Sequence, residues 1–284
     1  MKRFLIIIFY LPAIVFIFNQ KEVFPQGKIM SLAELQKTKL YKSIEEALPD
    51  AEMVYRINLS NSGLAAIPED LFKFKNLQSL NLSDNPLSEI SPLIGTLEYL
   101  QFLNFSGTKL SNLPAEISNL KNIVSLKLDN ISNLNSLNVF SRISGFGKLK
   151  ELSMNSVFIM NLPPQIKKLS NLAVLRLSKC GITEIAGEIG ELNKLMILDL
   201  SFNELTALPP ETGKLISLEE LLLGGNKIKS LPDEIESLNK TLRILSLAEI
   251  SSNNGEYIGN PISKNEVERI QYLLPETKII FIWN

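Results

Sequence analysis

The chain has 284 residues, 45% of them hydrophobic and 21% charged, which is enough apolar material for a large core. Its formal net charge of -1 offers no basic field to nucleic acid, and the absence of histidine removes the commonest general base near neutral pH and the commonest imidazole metal ligand. The single cysteine, Cys180, excludes both an intramolecular disulfide and a thiolate zinc cluster.

Lys2 and Arg3 precede the run 4–18, FLIIIFYLPAIVFIF, which has the basic and apolar regions of an export signal. A membrane-spanning helix needs about 20 such residues. No A-x-A-like cleavage site follows in NQKEVFPQG, so residues 1–18 are expected to be a signal peptide or an uncleaved signal anchor. Losing Lys2 and Arg3 with a cleaved leader would take the net charge from -1 to -3. With no cysteine nearby, lipoprotein anchoring is excluded. Residues 19–30, with Pro25 and Gly27, form a linker. In 31–53, Ser31 with Glu34 and Ser43 with Glu46 fit capping boxes, and Pro49 is expected to stop the second helix after Leu48.

From residue 54 to about 250 one pattern recurs. It starts at Val54, Leu77, Leu100, Ile123, Leu149, Leu172, Leu195, Leu218 and Leu242, and six of the eight intervals are 23 residues. In the coil starting at Leu195, apolar residues stand at position 4 (Leu198), 6 (Leu200), 11 (Leu205), 14 (Leu208) and 21 (Leu215), with Asn203 at 9 and Pro209 at 15. This spacing resembles the leucine-rich repeat family in its bacterial 23-residue LPxxI form, and the lack of cysteine-rich caps agrees. The resemblance implies an α/β solenoid: a right-handed superhelix with a parallel concave sheet and short 3-10 or helical turns on its convex side. It also makes 31–53 a helical N-terminal cap and 251–284 a C-terminal cap. In the latter, Ser263 and Glu266 fit a capping box, Val267, Ile270, Leu273 and Leu274 form a helical stripe, Pro275 ends it, and 279–283 closes as a strand.

The fourth repeat is three residues longer than its neighbours. Its register survives if Leu134, Leu137, Ile143 and Phe146 fill positions 11, 14, 18 and 21, which makes the insertion an outward bulge. At position 9, Asn85, Asn203 and Asn226, with Ser62, Thr108, Ser156 and Cys180 as substitutes, are expected to turn inward and pair with bend carbonyls. Cys180 is then a structural residue, with no histidine to activate it. Pro68, Pro114, Pro163, Pro209 and Pro232 at position 15 open the convex turns.

Positions 3, 5, 7 and 8 remain to face outward from the sheet. Position 5 reads Asn58, Asn81, Asn104, Lys127, Ser153, Arg176, Asp199, Leu222 and Ser246, and position 3 includes Phe102, Glu151, Val174, Ile197 and Glu220. Phe102, Asn104, Lys127, Arg176, Ile197, Asp199, Phe202 and Leu222 are the candidate partner-binding residues, because aromatic and arginine anchors dominate interface hot spots. The sequons at Asn58, Asn81, Asn104 and Asn130 coincide with the repeat pattern. No catalytic constellation, cofactor loop or metal cluster can be picked out. The expectation is an exported, non-enzymatic module binding a protein on its concave face, with no cofactor and no nucleic acid; a membrane enters only through an uncleaved N-terminal segment. A glycan or other non-protein ligand, suggested by the amide-rich first third, is the alternative, as is an intracellular scaffold if residues 1–18 do not direct export.

Overall fold

The computed structural model describes residues 27–250 and 257–282. The expected export segment and most of the linker lie outside them.

Each coil contributes one three-residue strand, and the strands stack in sequence order into a parallel sheet of eleven. Leucines at positions 4 and 6 point inward, while positions 3 and 5 face out. Thus Leu198 and Leu200 are buried and Ile197 and Asp199 between and beside them are half-exposed. Register is constant: Ile197, Leu198 and Asp199 stand beside Val174, Leu175 and Arg176 on one side and Glu220, Leu221 and Leu222 on the other. One continuous core runs from Tyr41 to Leu274. The convex side is built of short 3-10 turns, five of them entered through Pro68, Pro114, Pro163, Pro209 and Pro232. A fixed φ near -65° sets up such a turn.

Coil 4, from Ile123, departs from its expected register. Its three extra residues form no outward loop. The five-residue 3-10 turn is replaced by an α-helix, α3 (Ser136–Ile143), capped by Asn135. Eight residues at about 1.5 Å rise span nearly the same length as five at about 2.0 Å, so the smaller rise per residue of the α-helix absorbs the insertion. The helical period then buries Val139, Phe140 and Ile143 and turns Leu137 out, 67% exposed, so Leu137 does not fill position 14.

The inward ladder at position 9 also differs from expectation in the middle. Ser156 is at position 8, with φ +60°, and the buried residue at position 9 is Val157, as Ile131 is in coil 4. On either side of this apolar stretch the amides pair as expected. Asn203 donates to the carbonyls of Leu177, Leu200 and Ser201 at 2.8, 2.8 and 3.3 Å and accepts from the N–H groups of Cys180 and Ile182 at 2.9 and 3.1 Å. The Cys180 thiol donates to Met154 O, 3.2 Å away, and burial pushes its pKa up to about 12.

At the C-terminal end the ninth coil pauses after Leu247 and then resumes. The antiparallel strands Ala248–Ile250 and Tyr257–Gly259 carry the chain out and back. Asn260 then takes the ladder place, donating to Leu223 O and Leu247 O at 2.8 and 3.0 Å and accepting from Ile228 N at 2.9 Å. α4 (Lys264–Leu273) covers the convex side with Val267 and Ile270, and the strand Lys278–Ile280 pairs parallel with Ile244–Ser246. At the other end α1 (Leu32–Lys37) and α2 (Ile44–Ala47) flank the strand Leu40–Tyr41, which pairs with the strand of coil 1. As expected, α2 ends ahead of Pro49, with Leu48 as its C-cap, and the chain continues into a 3-10 turn, Leu48–Met53, that has Pro49 in its first turn.

Candidate functional site

In coils 1 to 7 the backbone N–H of position 7, at the end of the strand, is taken by a side chain, and two solutions are used. In coils 1, 2, 3 and 7 the side chain at position 5 of the same coil accepts it. Asn58, Asn81, Asn104 and Asp199 take the N–H of Ser60, Ser83, Ser106 and Ser201 at 3.0, 3.0, 2.9 and 3.0 Å. In coils 4, 5 and 6 position 7 of the preceding coil does so instead. Ser106 Oγ accepts from Asp129 N at 3.1 Å, Asp129 Oδ1 from Asn155 N at 2.7 Å, and Asn155 Oδ1 from Ser178 N at 2.8 Å. A short polar side chain capping the next turn is an ordinary device. Its transfer to position 7 releases position 5 in three successive coils, and there stand Lys127, Ser153 and Arg176.

The two cations share one carboxylate. Glu151 Oε1 lies 3.5 Å from Lys127 Nζ and 3.2 Å from Arg176 Nη1, and Oε2 accepts from Ser125 Oγ at 2.8 Å. The triad keeps one net positive charge, held on partly exposed side chains. Lys127 and Glu151 border a shallow recess of about 250 Å³ whose other walls include Asn81, Phe102, Asn104 and Ser125. Asp199, the register partner of Arg176, is committed to its own bend, accepting from Ser201 Oγ at 2.6 Å.

Of the other expected residues, Phe102 is already engaged. It packs against the cluster of Met30, Leu35 and Tyr55, which the N-terminal cap lays over the first coils. The Arg56 guanidinium fixes that cap by donating to the carbonyls of Gln36 and Thr38 at 3.1 and 3.3 Å. Ile197 lies beside Val174 in a two-residue apolar patch bounded by Glu151 and Glu220, and Leu222 lies beyond Asp199. Phe202 stands at the end of the strand row, half-exposed, with Lys179 Nζ 5.3 Å from its ring centroid. Its φ is +54°, in the left-handed region that bulky side chains avoid.

Glu151, which joins Lys127 and Arg176, is not in the candidate set read from the sequence. Its signal was available: positions 3 and 5 of adjacent coils are diagonal neighbours on one sheet face, and a carboxylate flanked diagonally by Lys127 and Arg176 is a charge pair. Among the described residues there is no group of histidine, cysteine, aspartate or glutamate arranged to hold a metal ion.

Two repeat models match this sequence, one described as a leucine-rich repeat region over residues 140–265 and one as a leucine rich repeat over 76–97. No curated protein matches it. Among solved structures, the chain is similar to the leucine-rich repeat domain of the type III effector XopL, with 22% identity, a TM-score of 0.62, and 82% of this chain and 79% of that one covered. It is also similar to the plant peptide hormone receptor RGFR1, solved in complex with RGF2, at 24% identity and a TM-score of 0.59; 87% of this chain is covered but only 42% of the receptor. The functional domain of InlJ from Listeria monocytogenes follows at 20% identity and a TM-score of 0.52, with 67% and 42% covered. With one strand per coil in a parallel stack and both repeat models matched, the chain belongs to the leucine-rich repeat family.

Proposed function

We propose that this protein is an exported, non-enzymatic binding module that takes a protein partner on its concave face, centred on coils 4 to 7. The observation that carries the reading is the relocated capping. Where position 5 carries Asn or Asp, in coils 1, 2, 3 and 7, that side chain is spent on capping its own bend. Coils 4 to 6 instead move the cap one column across and use the vacated places for Lys127, Ser153 and Arg176. These lie on a rigid sheet, so little ordering is required on binding. RGFR1, a peptide hormone receptor of similar fold, was solved in complex with RGF2, which supports a polypeptide ligand.

Reversing both charges, Lys127→Glu with Arg176→Glu, tests this against a partner selected by the unmodified protein from a displayed peptide or protein library. Affinity should fall at least about tenfold, as expected when paired charges at an interface are reversed, while the thermal transition stays in place. Unchanged affinity with an intact fold refutes the concave-face reading. The amides that suggested a glycan ligand, Asn58, Asn81 and Asn104, each commit their oxygen to the backbone, which lowers the support for that alternative. Export is tested separately: a reporter fused after Gly27 should leave the cytoplasm, and its retention would make the protein an intracellular scaffold.

A further inference from the structure

Each coil turns into its strand through positions 20–23, and these turns stack into one lateral edge of the solenoid. Side chains tie them together: Lys148 Nζ donates to Asn122 Oδ1 at 2.7 Å, Lys194 Nζ to Asn171 Oδ1 at 2.5 Å, and Asn76, Asn122 and Asn171 donate to carbonyls one coil back. This edge is basic although the chain as a whole carries -1. Lys75, Lys121, Lys148, Lys194, Lys214 and Lys240 are all exposed along it, and among the described residues none of the six is in a salt bridge. The acids in the same turns are Glu98 and Glu191, the latter met by Lys167 at 3.8 Å. Glu52 of the N-terminal cap lies beside Lys75, and Asp233, Glu234 and Glu236 lie near Lys240 at the far end, so the lysines outnumber the acids most clearly in the middle turns. Two large apolar side chains protrude between the lysines, Met196 at 42% and Ile216 at 63% exposure. They occupy neighbouring turns, since Met196 O accepts the N–H groups of Glu219 and Glu220.

The described chain also begins on this edge. Gly27 N donates to Asn76 Oδ1 at 3.2 Å, and the glycine lies against Tyr99. Residues 19–26 can reach at most about 29 Å at about 3.6 Å per residue, so an apolar segment at 4–18 held in a bilayer keeps the first coils' lysine edge close to that bilayer.

We propose that this edge is a membrane-facing surface that lies on anionic lipid headgroups, with the lysines over the phosphates and Met196 and Ile216 at the acyl boundary. A row of point charges with apolar side chains among them, spread along a ridge, suits a lipid surface better than a single folded partner. The proposal is independent of the concave-face reading, because it uses none of the same residues and leaves that face open.

The test is hydrogen exchange of the full chain in nanodiscs of phosphatidylcholine alone and of phosphatidylcholine with a third phosphatidylglycerol, at about 0.1 M salt, where surface charges act over about 10 Å. The turns at 119–124, 192–196 and 214–219 should exchange several-fold more slowly in the anionic discs. Lys121→Glu, Lys214→Glu and Lys240→Glu together should abolish the difference with the thermal transition unchanged; these three lysines were chosen because none is in the inter-turn bonds given above. Should that variant fail to fold, the same three changed to Gln give the same readout. Equal exchange in both lipids, slowing on the opposite edge around 85–90 and 180–184, or slowing that survives charge removal overturns the proposal. So does equal slowing by soluble polyglutamate in place of anionic lipid, which would assign the edge to acidic polypeptides.

Discussion

At the residue scale, position 8 carries a backbone demand that hydrophobic patterning does not reveal. Asn61, Asp84, Gly107, Asn130, Ser156, Lys179, Phe202 and Gly225 all have φ between +52° and +72°. Gly or Asn meets this at low cost, whereas an ordinary side chain costs about 1–2 kcal/mol. Phe202 therefore sits at a strained place, and its ring lies across Gly225, where a Cβ would come 2.7 Å from the ring. Gly225→Ala should cost about 2 kcal/mol or more by denaturant unfolding, from the positive φ and the clash together. In a Phe202→Ala background the clash part should vanish, and a double-mutant cycle would show it. Asn203→Ala leaves several buried backbone groups unpaired and should cost about 3 kcal/mol or more in the same measurement. The asparagine ladder was legible from its position in the repeat. The left-handed column and the capping exchange were not, because both depend on backbone φ and on neighbouring coils, which a single repeat does not encode.

At the element scale, the departures from expectation share one cause. Local signals mark where a helix starts but not how far it runs or where its side chains go. Ser31, Ser43 and Ser263 cap their helices by accepting from the residue three along, as the capping boxes imply. Only Glu34 returns the bond, to Ser31 N at 2.7 Å. Glu46 accepts from Lys42 N instead, and Glu266 accepts from Leu231 N at 3.0 Å and from Arg269 at 2.7 and 2.9 Å, tying α4 to coil 8. The Arg269 guanidinium, more than the Leu231 N–H, holds the Glu266 carboxyl below the usual range. A folded-state pKa below the unfolded value gives stability that is complete above the unfolded value, near 4.3, and is lost as pH falls through the folded one. Glu266→Gln should therefore flatten the loss of stability below about pH 4.3, read from urea midpoints across pH. An unaltered acid limb would show the pair contributes nothing there. In α3 the helical period predicts that Phe140→Ala costs about 3–5 kcal/mol. Leu137→Ala should cost under about 0.5 kcal/mol, as for exposed surface sites. The reverse order would restore the expected repeat register.

At the scale of the whole molecule, stacking turns a weak local signal into a strong global one. A single coil cannot bury its leucines, but nine coils closed at both ends share one core from Tyr41 to Leu274. That is why the architecture was legible and the site only partly so. The inward positions are fixed by the fold and repeat nine times, whereas each outward residue occurs once. Phe102 looked like an anchor on pattern alone and is taken up by the N-terminal cap, while Glu151 emerged only when the strands were placed side by side. The central claim is that Lys127 and Arg176 are held in place for binding and that folding does not need them. It is tested most directly by replacing both with Asn, the residue position 5 carries in coils 1 to 3, and measuring unfolding free energy and partner affinity on the same preparation. The account predicts a stability loss of no more than about 1 kcal/mol, the usual worth of partly exposed ion pairs such as those these residues make with Glu151, together with at least about tenfold weaker binding. A loss of several kcal/mol with affinity retained per folded molecule would contradict it.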